Sequence, residues 1–275
     1  MAFAKYPTPI PAPDAAPACI LLAFIGFGLK LYLSDKHNAT LQSHQGTISR
    51  NTIAGNILSN EDVKLIISDD SLTFHGDVQL YIDNNGQVKV RQKDGKERTW
   101  AVGKGVQNKL IVPYGKRSSL TLADGSKIWL NSGSTLTFPG QFDDTKREIE
   151  LISGELYVEV APDKNKPFYV HTSDYDVKVY GTKLNVSSYS KSPSSVVLVE
   201  GSVGLKPSTR KELILSPNER TVLLEDGSIR TQKVDVSLFV SWKDGYITYD
   251  NTPINEVLRQ IGRYYNLFFN SMSFN

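Results

Sequence analysis

Residues Arg147–Thr172, REIELISGELYVEVAPDKNKPFYVHT, decide how this chain folds. Apolar and polar residues alternate through the first half, and a second strand-like run opens at Pro167-Phe168. A period of two places Glu155, Tyr157 and Glu159 on one face of a strand and Leu156, Val158 and Val160 on the other. At about 3.3 Å per residue, Glu155 and Glu159 stand ~13 Å apart, beyond either glycosidase carboxylate spacing. Glu148 and Glu150 stand about 6.6 Å apart, but neighbours on one strand face do not flank a scissile bond. The acidic residues of this stretch therefore read as the solvated face of a sheet.

Working outward, the same grammar runs through most of the chain. VKLIISDDSLTFHGDVQLYIDNNGQVKVRQKDGKERTW (63–100) predicts short strands separated at Asp69-Asp70, His75-Gly76, Asn84-Asn85-Gly86 and Asp94-Gly95. Asn-Gly and Asp-Gly favour two-residue hairpins because both residues tolerate positive φ. The pattern returns around Asp124-Gly125 and Asp226-Gly227, with no fixed repeat period. It predicts a stacked, sandwich-like or solenoid-like all-β body over 35–236, and Leu41–Lys109 forms its first layers because no linker interrupts them. Lys206–Arg210 is the loop inside that body.

Composition narrows the chemistry. The chain has 275 residues, 22% of them charged, with a formal net charge of +2, which gives it no polyanion-binding character. Cys19 is the single cysteine, so an internal disulfide framework and a cysteine-based zinc site are both excluded. His37, His44, His75 and His171 show no ligand spacing, so no metal ligands are assigned. There is no nucleophile elbow, phosphate-cradling loop, dinucleotide fingerprint or HExxH motif, and hence no catalytic residue or cofactor to nominate. The expectation is a protein that is not an enzyme and needs no cofactor.

The two ends read differently. Residues 1–17 are rich in Pro and Ala and read as a flexible lead-in. Residues 18–34 are apolar apart from Lys30 and approach the ~20 residues that cross a bilayer. This predicts a transmembrane helix, a signal-peptide core or a buried helix being the alternatives. Lys5 on one side and Lys30 and Lys36 on the other leave the orientation open. Near the other end, 239–251 predicts a hairpin turned at Asp244-Gly245, followed by a helix with Thr252 as N-cap and Pro253 as its first residue. Ile254, Val257, Leu258, Ile261 and Tyr265 fall on one stripe of that helix and read as the core of the subdomain. Asn266 onward begins another strand, giving a small β-β-α-β unit over 237–275 that stops before it is complete.

The order of the fragments is more specific than any one of them. VPYGKRSSLTLADGSKIWLNSGSTLTFPGQF, then the opening stretch, then VKVYGTKLNVSSY, LVEGSVGL, LSPNER and WKDGYITYDNTPINEVLRQIGRYYNLFF closely resemble the FecR family of anti-sigma regulators, across Val112–Phe269, most specifically over 112–206. The matching positions include Asp124, Gly125, Trp129, Leu130, Asn131, Gly154, Glu155, Pro167, Phe168, Gly181, Thr182 and Asn185. These are fold-building types: a hairpin turn at Asp124-Gly125, a strand start at Pro167-Phe168, and a backbone bend at Gly181-Thr182.

The resemblance implies a single-pass inner-membrane protein with most of its chain in the periplasm. Its β domain would be followed by a domain similar to the N-terminal domain of secretins and TonB-dependent transducers. The implied partners are the signalling domain of an outer-membrane TonB-dependent transducer, an extracytoplasmic-function sigma factor, and a regulated intramembrane protease, with no nucleic acid. The pattern departs at both ends: residues 1–17 stand where the sigma-binding region is expected, so no sigma-binding residues are assigned, and the last domain is short. The transducer-facing surface is expected at Trp242, Tyr246, Thr248, Tyr249 and Asn251, with Arg259 and Arg263 of the helix. The alternative is a periplasmic or surface carbohydrate-binding module, its platform drawn from Trp129, Trp242, Tyr246, Tyr249, Tyr264 and Tyr265. A third reading, a hydrolase, lacks any residue pair to carry it.

Overall fold

A computed structural model describes residues 55–57, 61–68, 70–102, 106–207, 211–224 and 226–269. The predicted lead-in and membrane helix lie outside these residues. Among the described residues no helix is long and apolar enough to cross a membrane. The description below concerns the compact unit Thr52–Asn275.

After β1 (Gly55–Ile57), the chain lays its strands alternately into two sheets. The first sheet receives β2 (Val63–Ile67) and β3 (Asp70–Phe74), and the second β4 (Val78–Ile82), β5 (Gln87–Gln92) and β6 (Glu97–Ala101). β7 (Gln107–Val112) returns to the first; β8 (Ser118–Thr121) and β9 (Lys127–Leu130) join the second; β10 (Ser134–Pro139) returns again. β11 (Arg147–Glu159) belongs to both. Then β12 (Phe168–His171) and β13 (Tyr175–Val179), β14 (Lys183–Ser188) and β15 (Ser194–Glu200), β16 (Val203–Pro207) and β17 (Leu213–Leu215), and β18 (Glu219–Leu223) and β19 (Ile229–Lys233) alternate sheet by sheet.

The resulting orders are β3-β2-β7-β10-β11-β12-β13-β16-β17 and β6-β5-β4-β8-β9-β11-β14-β15-β18-β19. Only β11–β12 and β4–β8 pair in parallel. Inward residues of both sheets share one core, from Leu65 and Leu110 to Leu156 and Val186. This is a two-layer sandwich. The Asp-led hairpins have a common mechanism: the Asp carboxylate accepts the N–H two residues on at Asp83, Asp94, Asp124 and Asp226, at 2.8–3.0 Å.

The long strand β11 joins the two layers. Its odd residues, Ile149 and Leu151, face the core in the first sheet; its even residues, Leu156 and Val158, do so in the second. The switch of phase comes from a bulge. Thr135 pairs with Ser153 but Leu136 pairs with Leu151, so Ile152 is extra and points outward. Gly154 follows at φ +110°, where a Cβ would collide with Ser134. Ser134 Oγ clasps the crossing by donating to the Glu155 carbonyl at 3.0 Å and accepting the Glu155 N–H at 2.9 Å. A later crossing, from β13 to β14, passes through Gly181, where a Cβ would stand 2.8 Å from the Pro162 backbone.

At the start of β11, Arg147 is 2% exposed and is one of the largest buried side chains. Its Nη1 donates to Asp124 Oδ2 at 2.7 Å and to the Ala161 carbonyl at 2.8 Å, and its Nε donates to the Lys166 carbonyl at 3.0 Å. Its guanidinium lies 5.4 Å from the centre of the Phe168 ring. Asp124 also accepts Ser126 Oγ–H at 2.7 Å, and Ser126 Oγ accepts the Ala161 N–H at 3.0 Å. One hairpin turn is thereby tied to both ends of the β11–β12 connection. Removing one partner of a buried pair leaves the other charge uncompensated, so Asp124→Ala is expected to lower stability by about 3–5 kcal/mol. Urea unfolding checks this, and a loss below ~1 kcal/mol contradicts the role given to the pair.

Candidate functional site

The residues singled out near the C-terminus form a cap over the outer face of the second sheet. The cap comprises α1 (Ser237–Val240), a 3-10 turn (Ser241–Asp244), α2 (Ile254–Tyr265) and β20 (Leu267–Phe269). The hairpin expected at Asp244-Gly245 is absent. Gly245 instead terminates the 3-10 turn at φ +97°, and 245–253 forms no strand. The helix begins one residue later than expected, with Pro253 at the N-cap position and no side-chain cap. The strand expected after Asn266 is present, and β20 pairs antiparallel with β1, Gly55 opposite Phe269 and Ile57 opposite Leu267.

Trp242 is the cap's anchor. It is 5% exposed, and its indole N–H donates to Asn185 Oδ1 at 3.1 Å. That contact fixes Asn185 Nδ2 as a donor, which it gives to Glu155 Oε1 at 2.8 Å. Asn131 Oδ1 accepts the Ser132 N–H, leaving Asn131 Nδ2 to donate to Glu155 Oε2 at 2.8 Å. Glu155 thus sits under the cap between two oriented amides, on the floor of a groove of about 720 Å³. Burial pushes its carboxyl above the ordinary glutamate range, while the two amides and the fields of Arg263 and Arg220 pull against that shift. The expectation of a wholly solvated face fails here because the cap covers it. Tyr157, on the same face, is buried beside Trp129 and has Lys243 5.4 Å from its ring centre.

More contacts hold α2 in place. Arg117 donates to the Trp242 carbonyl at 3.2 Å and to Tyr264 Oη at 2.6 Å, and Tyr264 O–H donates to the Gly245 carbonyl at 2.8 Å. The Gly115 N–H donates to the Arg263 carbonyl at 2.8 Å.

The predicted interface residues divide sharply. Trp242 is buried against the chain's own sheet, with 5% of its surface exposed. Arg259 donates to the Lys191 carbonyl and to Ser192 Oγ at 3.2 and 3.3 Å, and Arg263 stacks 4.0 Å from the Tyr189 ring centre. Both arginines therefore face the β body. Tyr246, Thr248 and Asn251 remain exposed, and Tyr249 is half-buried with its hydroxyl unpaired.

The helix is turned polar side inward because the surface beneath it is polar, with Glu155, Asn185, Tyr189 and Arg220 facing it. Its apolar stripe is left outside. Ile254 is 56% and Tyr265 62% exposed, Val257, Leu258 and Ile261 are only half-buried, and Phe268 of β20 is 52% exposed. The expected subdomain core is only partly closed, with Ile254, Tyr265 and Phe268 open to solvent. Among the described residues no group of three or more His, Cys, Asp or Glu side chains could hold a metal.

Asn185→Ala removes the acceptor of a buried indole N–H and a donor to Glu155, and is expected to cost about 2–5 kcal/mol and to expose Trp242. Tryptophan fluorescence during urea unfolding reads both effects, and an unshifted Trp242 environment contradicts the anchor. Glu155 makes a second expectation. Its folded carboxyl holds a proton at higher pH than the unfolded one, so stability falls as pH rises through and above the ordinary glutamate range. Glu155→Gln loses that slope. Its stability relative to wild type should therefore improve between about pH 4 and pH 7, and a constant difference across that range contradicts the burial of the carboxyl.

Comparison with known proteins fits this architecture. A sequence model described as FecR protein matches residues 108–204, from β7 into β16. That span holds the crossing strand, the buried Arg147 and the Glu155 floor, and ends before the cap. No curated protein matches the chain. Two crystal structures, at 1.65 and 2.50 Å resolution, of a candidate anti-sigma factor from Parabacteroides distasonis ATCC 8503 share its fold. Each is 30% identical with a TM-score of 0.55, covering 57% and 58% of this chain and 74% and 75% of theirs. The chain belongs to the FecR family of anti-sigma regulators.

Proposed function

We propose that this anti-sigma regulator is a non-enzymatic relay, and that its C-terminal cap is where the incoming signal is received. The observation that carries the reading is the outward apolar stripe of α2, continued by Phe268 of β20. A strand added beside β20 would gain backbone hydrogen bonds and lay alternate side chains against Ile254, Leu258 and Tyr265. The partner is the periplasmic signalling domain of an outer-membrane TonB-dependent transducer. β20 is paired with β1, which lies toward the end of the chain that carries the apolar run 18–34. A partner that engages β20 is thus one strand away from the segment leading to the membrane.

In this reading residues 18–34 cross the inner membrane once, the β body is periplasmic, and an extracytoplasmic-function sigma factor is controlled on the other side, with a regulated intramembrane protease as a further partner. The carbohydrate-binding alternative is weakened by the fate of its aromatics. Trp242 is buried, Trp129 is half-buried against Tyr157, and Tyr264 is tied to Arg117 and Gly245, so they form no exposed platform.

Ile254→Glu combined with Phe268→Glu tests the receiving surface. Titration of the full chain in detergent with a purified transducer signalling domain should show binding weakened about tenfold or more, with little change in thermal midpoint because both side chains are exposed. Unchanged affinity in this variant contradicts the proposed surface.

A further inference from the structure

The inner side of the cap carries a feature that the relay reading does not use. In the groove above Glu155, Arg220 of β18 projects from the sheet with its guanidinium 4.7 Å from the Phe239 ring centre. Its Nε is buried without a hydrogen-bond partner, and no carboxylate lies within ion-pair distance of it among the described residues. Guanidinium stays charged in proteins, so burying its Nε–H without an acceptor is costly. Burial lowers the pKa of Arg220, opposed by the fields of Glu256 and Glu155.

Tyr249 lines the same groove, and its hydroxyl is also buried and unpaired. Val222, Phe239, Trp242 and Ile247 add apolar surface to a lining that is otherwise largely polar. A space of about 720 Å³ is the size of a small-molecule site.

We infer that this groove binds a small monocarboxylate with an apolar body, its carboxylate on the Arg220 guanidinium and its body against Phe239 and Val222. A planar carboxylate matches the guanidinium fork and supplies the missing acceptors. A doubly charged phosphate fits poorly, because Glu155, Glu256 and Asp250 also line the groove. The occupant would touch both β18 and the cap, so its binding tightens the cap on the body. This inference concerns the inner side of the cap and does not depend on the relay.

Phenylacetate, phenylacetamide and phenyl phosphate share an aromatic body and differ in the group presented to Arg220. Calorimetric titration of the full chain in detergent should show saturable millimolar binding of phenylacetate, with the amide and the phosphate about tenfold weaker or worse. Arg220→Gln should abolish phenylacetate binding and Arg220→Lys should weaken it. If Arg220→Gln does not fold, Val222→Phe, which fills the groove without altering its charge, should also abolish binding. Equal affinity for acid and amide, binding that survives Val222→Phe, or no binding of phenylacetate at millimolar concentration each overturns the inference.

Discussion

The buried contact between Arg147 and Asp124 is the constraint on which the remaining structure depends. It joins the β8–β9 hairpin to the first residue of the strand that connects the sheets, and reaches on to Ala161 and Lys166 at the far side of that strand. With both ends of the β11–β12 connection fixed, the bulge at Ile152 and the turn of the backbone at Gly154 fall where β11 must leave one sheet for the other. A buried charge pair is weak evidence for net stability, but it is unforgiving of alternatives, since any other register leaves a guanidinium in the core without its acceptors. Specifying one register has particular value in a sandwich of alternating hairpins, where a one-residue slip would turn every side chain to the wrong face.

The phase switch in β11 also determines what the cap meets. Once even residues point inward, Glu155 and Tyr157 point outward, beside Asn185 of β14, Tyr189 just after it and Arg220 of β18. A surface of this kind does not attract an apolar helix face. It is satisfied by its own amides of Asn131 and Asn185 and by the arginines and the indole N–H that the cap brings, and α2 lies with Arg259, Gln260 and Arg263 toward it. The open apolar stripe on the other side of the helix follows from polar matching beneath. The same matching leaves Arg220 short of an acceptor, so the cap has an outer face suited to a macromolecular partner and an inner groove suited to a small anion.

Much of the sandwich was legible in the sequence, because Asp-Gly and Asn-Gly hairpins and period-two alternation are local signals. The existence of the strands followed from them. Less legible was anything that needs two distant segments to meet. Arg147 reads as a polar residue at a strand start until Asp124, Ala161 and Lys166 are brought around it. Glu155 alternates like a solvated residue, and only the cap, roughly ninety residues later in sequence, makes it a half-buried one. The amphipathic pattern of α2 was read correctly as a helix with an apolar stripe, but periodicity does not say which side faces home. The polarity of the outward positions of β11, β14 and β18 did contain that information, had the sheet they share been known. Local turn chemistry misled at Asp244-Gly245, where the pair ends a 3-10 turn because Trp242 is pinned by Asn185.

The orientation of α2 is the central claim, and thiol labelling tests it directly. In a Cys19→Ser background of the full chain, single cysteines at Ile254, Tyr265, Gln260 and Arg263 would be reacted with a maleimide under native conditions. The account predicts fast labelling at Ile254→Cys and Tyr265→Cys and slow labelling at Gln260→Cys and Arg263→Cys until the chain is unfolded. The reverse order, with the apolar stripe protected and the polar side open, would contradict it.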